Sequence, residues 1–516
     1  MTRLALLSTS DKSGLVDLAK TLVEEFGFQL LSSGGTAATL AAANIPVTKV
    51  SDYTQSPEIL GGRVKTLHPK IHGGILARRN LELDLADLAA QAIEPIDLVV
   101  VNLYPFQATI AKADVSFGDA IENIDIGGPT LIRAAAKNHA HVTVLSNPNQ
   151  YDAYLQQLRQ EGASPTPEFR LKCAQAAFAH TAEYDQAIAS YLLSATDSDL
   201  EEPLPTSFTL SGVIQQTLRY GENPHQAAAW YRTGTTPTGW AAARLLQGKE
   251  LSYNNLLDLE AARSLVAEFS DQPTAVIVKH TNPCGVATAS TLKSAYERAF
   301  AADSVSAFGG IVALNRPLDA ETSELLTQTF LECVVVPSCE LEAQAQLAHK
   351  PKVRVLVAPD LAVGPPVVIR TIAGGFLAQG ASDHAPNPDE WGIVTQSQPT
   401  PEQWQDLIFA WKVVKHVKSN AIVVAKQSQT LGIGAGQMNR VGSVQIALAD
   451  AAAAAQGAVL ASDGFFPFAD SVQTAAAAGV KAIVQPGGSL RDQESIQAAN
   501  ELGLVMVFTN RRYFRH

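Results

Sequence analysis

Short apolar runs alternate with longer amphipathic or alanine-rich stretches, and this alternation limits the possible folds more than any other feature of the chain. Leu4 to Leu7, Phe28 to Leu31, Asp97 to Leu103 and Val142 to Leu145 each have strand length. Leu15 to Phe26 and Ala37 to Asn44 fall among them and read as helices. Strands alternating with helices predict a mainly parallel sheet flanked by helices, an α/β fold. The chain has 516 residues, more than one ordinary core holds, and 46% of them are hydrophobic. Several packed domains are therefore expected, not disorder. The polar, proline-containing stretch from Thr196 to Phe208 reads as a linker, giving expected domains at 1–198 and 199–516.

The net charge of −12 argues against a nucleic-acid partner, which would leave a basic footprint. An acidic chain still binds anions where its cations are concentrated in one cleft. Cys173, Cys284, Cys333 and Cys339 are too sparse for a disulfide framework and fit a reducing compartment. Met1 to Leu7 is too brief for a signal segment, and no apolar run reaches membrane-spanning length. The expectation is a soluble, cytoplasmic chain with no membrane partner.

In the second half, Val276-Ile277-Val278-Lys279-His280 runs into Thr281-Asn282-Pro283-Cys284-Gly285. The apolar residues read as a buried strand that Pro and Gly break. Polar groups at the carboxyl end of such a strand are where open α/β sheets build sites. Neighbouring residues on a regular strand face opposite ways. Lys279 and His280 share a ligand only if the backbone twists there, and Asn282-Pro283 marks the place. The alternative is a cationic strand end facing water.

The chain also echoes itself. Ala275 to His280 resembles Ala421 to Lys426, each followed by a turn and an alanine-rich helical stretch, and Ser306 to Gly310 loosely matches Ser462 to Phe466. Two related α/β subdomains facing one another would account for this. Chance similarity between α/β units is the competing account. Ala451 to Ala455 reads as part of a helix, and 340–365 carries no motif.

Several loops have the composition of anion sites. Ser10-Asp11-Lys12-Ser13-Gly14 and Ser33-Gly34-Gly35-Thr36 each join a strand to a helix, whose N–H groups and partial positive charge suit an anion. Ordinary helix capping is the alternative. Gly61 to Lys70 is a glycine-led basic loop, Asn102 to Phe106 closes a strand beside Tyr104, and Asp125 to Thr130 turns into a helix bearing Arg133 and Lys137. Those two cations, four apart, share a helix face. Further on, Arg219 to Gln226 and Leu251 to Leu256 are dense in polar groups, and Asn420 precedes an apolar run. Ile433 to Arg440 joins glycines to an arginine, and Phe465 to Asp470 sets aromatic walls beside a carboxylate. A zinc deaminase needs His-x-Glu and Pro-Cys-x-x-Cys. Asn282 stands at the glutamate position and Ala287 at the second cysteine, so that reading is rejected.

These ordered motifs, spread over nearly the whole chain, resemble the bifunctional family that joins an aminoimidazole carboxamide ribonucleotide (AICAR) formyltransferase to an inosine monophosphate (IMP) cyclohydrolase. The resemblance implies a methylglyoxal-synthase-like parallel-sheet domain, then a duplicated cytidine-deaminase-like transferase region. It implies formyl transfer from 10-formyltetrahydrofolate to AICAR, then dehydrative closure of formyl-AICAR to IMP, with no metal. For the transfer it implies Lys279, His280 and Asn420 as catalytic. Arg219, Tyr220, Asn255, Phe308, Gly309, Arg440, Arg512 and Phe514 would hold the nucleotide, and Phe465, Phe468, Asp470 and Ser489 the folate. For ring closure it implies Lys65, Tyr104, Asp125 and Lys137 as catalytic. Ser10, Lys12, Ser13, Ser33, Gly34, Gly35, Thr36, Arg63, Thr66, Asn102 and Gly127 would bind the substrate. It also implies a homodimer with transferase sites at the interface. A nucleotide-binding regulator that kept the folds but lost catalysis is the competing class.

Overall fold

The computed structural model describes residues 3–60, 63–112, 114–161, 164–196, 207–234, 236–382 and 386–516. The chain divides into two compact units, Met1–Ser207 and Phe208–His516. Most of the expected linker, and Gly61-Gly62 of the basic loop, lie outside the described residues.

The first unit runs β1 (Arg3–Thr9), α1 (Leu15–Glu24), β2 (Phe28–Ser32), α2 (Gly34–Ala42), β3 (Thr48–Lys49), α3 (Val50–Thr54), α4 (Pro69–Leu76), α5 (Glu82–Ala90), β4 (Leu98–Asn102), α6 (Phe106–Ile110), α7 (Phe117–Glu122), α8 (Gly127–Lys137), β5 (Thr143–Leu145), α9 (Tyr151–Glu161) and α10 (Pro167–Thr196). The strands form one parallel sheet in the order β3-β2-β1-β4-β5. Leu4 to Leu7 and Leu98 to Val101 are all buried. Strands covered on both faces lose polar alternation, so they appear in the sequence as continuous apolar runs. The strand order reverses between β1 and β4, which opens a crevice at Thr9 and Asn102. Two helix starts differ from expectation. Gly34 and Gly127 are the first residues of α2 and α8, so these glycines supply helix N–H groups instead of preceding the helix.

The second unit opens with a hairpin, β6 (Val213–Leu218) and β7 (Ala228–Arg232). There follow β8 (Arg244–Gln247), α11 (Tyr253–Val266), β9 (Thr274–Lys279), β10 (Asn282–Thr288), α12 (Leu292–Ala302), β11 (Ile311–Leu314), α13 (Ala320–Leu326), β12 (Cys333–Val336), α14 (Leu341–Leu347) and β13 (Arg354–Val357). A second hairpin, β14 (Val367–Ile372) and β15 (Gly375–Gly380), separates this from β16 (Gly392–Ile393), α15 (Pro401–Val414), β17 (Ile422–Lys426), β18 (Gln429–Gly434), α16 (Arg440–Ala451), β19 (Val459–Ser462), α17 (Asp470–Ala477), β20 (Ala482–Gln485), α18 (Asp492–Glu501) and β21 (Val505–Phe508).

The two series are the same series. One sheet of twelve strands runs β16-β21-β20-β19-β17-β18 and continues β10-β9-β11-β12-β13-β8. Read outward from the β18–β10 junction, the halves match strand for strand, including the antiparallel pairs at the centre and the parallel pairs outside them. The unassigned stretch 340–365 supplies α14 and β13, the counterparts of α18 and β21.

The structure corrects the internal echo in three places. After Lys279 the chain makes a two-residue turn, His280-Thr281, and Asn282 to Thr288 return as β10; a strand, not a helix, comes next. The twin turn is Gln427-Ser428, so Lys279 corresponds to Lys426, one residue away from the expected pairing. Ser306 to Gly310 precede β11, whereas Ser462 ends β19, so those segments are not counterparts. The alanine run is also split: α16 ends at Ala451, and Ala452–Ala455 form a 3-10 turn.

Glycine explains the close layers. A Cβ on Gly285 would lie 1.9 Å from the Ala299 carbonyl oxygen of α12, and one on Gly432 would lie 2.0 Å from that of Ala447 on α16. The two central helices therefore rest directly on the two central strands.

Candidate active sites

In the first unit the crevice at the ends of β1 and β4 gathers the expected residues. Asn102 does not face outward there. Its oxygen accepts the N–H groups of Ser10 and Asp11 at 2.6 and 2.9 Å, and its amide donates to the Asp11 carbonyl at 2.8 Å. It shapes the loop. Ser13 donates its hydroxyl to Asp11 at 2.7 Å, and that bond holds the Asp11 carboxyl below its ordinary pKa. The Thr36 hydroxyl is bonded to both the N–H and the carbonyl of Thr9 at 3.0 Å. Ser33 caps α2. Ser13, Thr36 and Asn102 therefore build the cradle with side chains already engaged.

The cations stand over the start of α2. Lys65 Nζ lies 3.1 Å from where a Cβ on Gly34 would sit, and Lys12 Nζ lies 3.9 Å from that of Gly35. Two ammonium groups above free helix N–H groups form an anion site with two independent sources of positive potential. Glu58 approaches Lys65 at 3.8 Å. Arg63 pairs with Glu122 on the exposed surface.

Thr66 Oγ1 lies 3.3 Å from the Cβ position of Gly127, which ties the basic loop to the start of α8. Beside it, Asp125 accepts the N–H of Gly128 at 2.8 Å, and the N–H groups of Tyr104 and Gly127 also bond to it. Burial raises the Asp125 carboxyl above its ordinary pKa, and these three donors only partly offset it. A carboxyl poised this way suits proton transfer. Tyr184 of α10, which no sequence signal marked, accepts the Asp125 N–H at 2.8 Å. A Cβ on Gly128 would lie 2.4 Å from the Asp125 carboxylate, so only glycine fits there. Lys137 ends α8, which at 1.5 Å per residue is about 15 Å along the axis from Gly127, and its side chain is exposed.

In the second unit β9 and β17 run antiparallel, because each of the three pairings between them is antiparallel. The end of β9 and the start of β17 therefore meet at one edge. Asn282 joins them: its amide donates to the His280 carbonyl at 3.2 Å, and its oxygen accepts the Lys418 N–H at 3.0 Å. His280 and Thr281 both have positive φ, 53° and 62°, and this is the twist that lets Lys279 and His280 share a site. Both line a cavity of about 280 Å³ with Asn282, Asp303, Ile433 and Asp450. The Lys279 ammonium donates to the Phe308 carbonyl at 2.8 Å. Phe308 packs on Phe330, and the Gly309 N–H donates to the Phe330 carbonyl at 2.8 Å.

Asn420 is held on two sides. Its amide donates to the Gln437 carbonyl at 2.8 Å, and its oxygen accepts from Arg440 at 2.7 Å. Arg440 is not an open anion clamp. It is buried against Asp463 at 2.5 Å and Ser462 at 2.8 Å, so its charge is already matched. Asp463 also accepts the Ala421 N–H at 3.1 Å and the Ser419 hydroxyl. Asn255 is likewise committed: it closes the α11 capping box with Ser252 at 3.1 Å each way. Sequence reasoning missed Asn282, Ser419 and Asp463 as site-building groups.

The remaining expected residues fall into local pairs. Arg219 lies over Tyr220 at the end of β6, and Arg512 over Phe514 at 4.6 Å. Phe514 and Arg440 converge on Gly464, whose Cβ would lie 2.8 and 2.6 Å from them. Phe468 carries Arg491 at 4.9 Å, and Ser489 accepts the Arg491 N–H at 3.1 Å. Those contacts bring the Phe465–Asp470 and Ser489 loops together. Among the described residues, no three His, Cys, Asp or Glu side chains converge as a metal site requires.

Two protein families match the chain. The MGS-like domain family matches residues 14–130, and the AICARFT/IMPCHase bienzyme family matches residues 135–450. Proteins named "Bifunctional purine biosynthesis protein PurH" from a Cyanothece species, Thermosynechococcus vestitus and Rippkaea orientalis are 66%, 68% and 65% identical to the chain, each over the full length of both. The chain belongs to the AICARFT/IMPCHase bienzyme family, whose members catalyse formyl transfer to AICAR and closure of the product to IMP.

Proposed function

We propose that Phe208–His516 performs the formyl transfer, with 10-formyltetrahydrofolate as donor, and that Met1–Ser207 closes the ring. The observation that carries this reading is the Asn282 bridge, which sets the Lys279–His280 turn beside the Asn420 loop. The AICAR 5-amino group is conjugated and weakly nucleophilic. As its nitrogen attacks the formyl carbon, His280 takes the amine proton. The tetrahedral oxyanion then accepts the second N–H of Asn420, and Lys279 supplies charge and a proton toward the departing folate nitrogen. Phe465, Phe468, Asp470 and Ser489 line the folate side, and Arg219, Tyr220, Arg512 and Phe514 hold the nucleotide.

In ring closure the carboxamide nitrogen attacks the formamide carbon. The formyl oxygen leaves as water with one hydrogen from each of the two nitrogens. Lys65 stabilises that oxygen, Asp125 takes the carboxamide proton, and Lys12 with the α2 N–H groups holds the phosphate. Neither step calls for a metal. Because Asp125 must be ionised to act as a base and burial raises its pKa, cyclisation should rise with pH through a value above the ordinary 3.8, and Asp125→Asn should remove that limb.

Exposed apolar side chains on the β14–β15 hairpin, including Ile372, Phe376 and Leu377, and at Met438, Leu490 and Phe514 support a homodimer that covers them. Four free cysteines support a reducing, cytoplasmic setting.

The test is a double dissociation. His280→Ala should lose at least about 10²-fold in formyl transfer, the scale of a missing general base, and keep cyclisation. Lys65→Ala should do the reverse. Loss of both activities in either folded variant would overturn the division of labour.

A further inference from the structure

We infer that Asp258 is a positioning residue for formyl transfer, holding the His280-Thr281 turn in the conformation that aims His280. The Thr281 N–H donates to the Asp258 carboxylate at 2.6 Å, and the His280 N–H also bonds to it. Both turn residues adopt left-handed backbone, φ 53° and 62°, which non-glycine residues hold only when their surroundings impose it. Asp258 is the constraint. It projects from α11, whose start is fixed by the Ser252–Asn255 capping box, so the carboxylate has a rigid base.

The duplication shows that the device is general and its use is not. On α15, capped by Thr400 and Gln403, Asp406 lies the same distance past its cap as Asp258 does past Ser252. It accepts the Gln427 and Ser428 N–H groups at 2.8 and 2.7 Å, and those residues have φ 54° and 55°. The same carboxylate therefore clamps the same turn twice. Only one turn carries a histidine and opens on the cavity. The Asp258 carboxyl is raised by burial despite the bonds from the turn and the neighbouring His280, as fits a carboxylate kept for its acceptor geometry.

This inference rests on the assignment of His280 to formyl transfer, so four variants, His280→Ala among them, are measured together in the full chain. Asp258→Asn keeps one acceptor but turns an NH₂ group toward the second turn N–H. Misplacement on this scale costs about 10- to 100-fold, so formyl-transfer kcat should fall by that factor with the KM for AICAR nearly unchanged and cyclisation intact. Asp406→Asn makes the identical change in the twin turn and should lower the melting temperature without lowering kcat. Adding Thr281→Gly to Asp258→Asn removes the left-handed penalty and should recover part of the kcat, which also covers the case where the single variant folds poorly. Wild-type kcat in Asp258→Asn, equal losses in the two twins, or no recovery in the double variant would overturn the inference. Active His280→Ala would instead overturn the assignment beneath it.

Discussion

The two halves of the twelve-stranded sheet share every strand and helix, yet they offer two edges that carry different side chains. At one edge the β9–β10 turn, with Lys279 and His280, meets the start of β17, with Ser419 and Asn420. At the other the β17–β18 turn, with Lys426 and Gln427, meets the start of β9. Some ties are conserved between them. Lys279 bonds the Phe308 carbonyl before β11, and Lys426 bonds the Gln456 carbonyl before β19 at 2.9 Å. Others diverge. After β11, Asn315 accepts the Thr274 N–H at 2.8 Å and holds the start of β9 with a neutral side chain. The counterpart after β19 is Asp463, which holds the start of β17 and adds the buried charge of Arg440. At the second edge Arg298 ties the end of β10 to the turn, donating to the Thr288 carbonyl at 2.9 Å and to the Gln427 carbonyl. Duplication supplied two frames, and divergence gave their turns different side chains and different partners.

The largest break in this comparison is expected at Asp463. The Arg440–Asp463 pair is almost fully buried, and removing one partner of such a pair costs about 3–5 kcal/mol. Asp463→Ala should destabilise the second unit by that amount and lower its melting temperature. It should also lose formyl transfer, because Asn420 loses the arginine that orients it, while ring closure persists. Melting followed by calorimetry, with the two activities assayed separately, checks this. A variant with normal transfer would show that the charged clamp only stabilises.

The matched lysines give a sharper test at somewhat smaller cost. Both make the same carbonyl bond, so Lys279→Met and Lys426→Met remove equivalent structural contacts. If the bond were the whole role, the two variants would behave alike. Lys279→Met should reduce formyl-transfer kcat by about 10²-fold, and Lys426→Met should leave it unchanged, with similar small shifts in melting temperature for both.

How much of this was legible follows from what each residue needs to act. The parallel sheet of the first unit was readable because its central strands are buried on both faces and so spell out apolar runs. The loops carrying Lys12, Gly34, Lys65 and Asp125 were readable because glycine and charge mark strand-to-helix turns. The hairpin at His280 was not. Pro283 and Gly285 read as breakers, but Pro283 sits at a bulge in β10, where a missing N–H is tolerated, and Gly285 answers to the backbone of α12. The true break falls on a histidine and a threonine, held left-handed by Asp258 from another element. Arg440 misled for a similar reason. Its sequence neighbours suggest an anion clamp, and only the fold reveals the carboxylate of Asp463 beside it. Register and long-range partners, unlike periodicity, leave no local mark.

The smallest expected effect belongs to Arg298, and it tests whether the second edge is passive. Its three side-chain bonds reach Thr288, Gln427 and Gln429, and the same interval past the cap of α16 places Ile446, which cannot make such bonds. Arg298→Ala should cost about 1–3 kcal/mol, the scale of hydrogen bonds from a charged donor. Formyl transfer should hold at wild-type kcat, since the turn Arg298 borders carries glutamine where its twin carries histidine. Thermal melting and a transfer assay on the same preparation decide the matter. A fall in kcat without a comparable fall in stability would mean that the two edges are coupled through the β10–β18 junction, and that the second copy still serves the first.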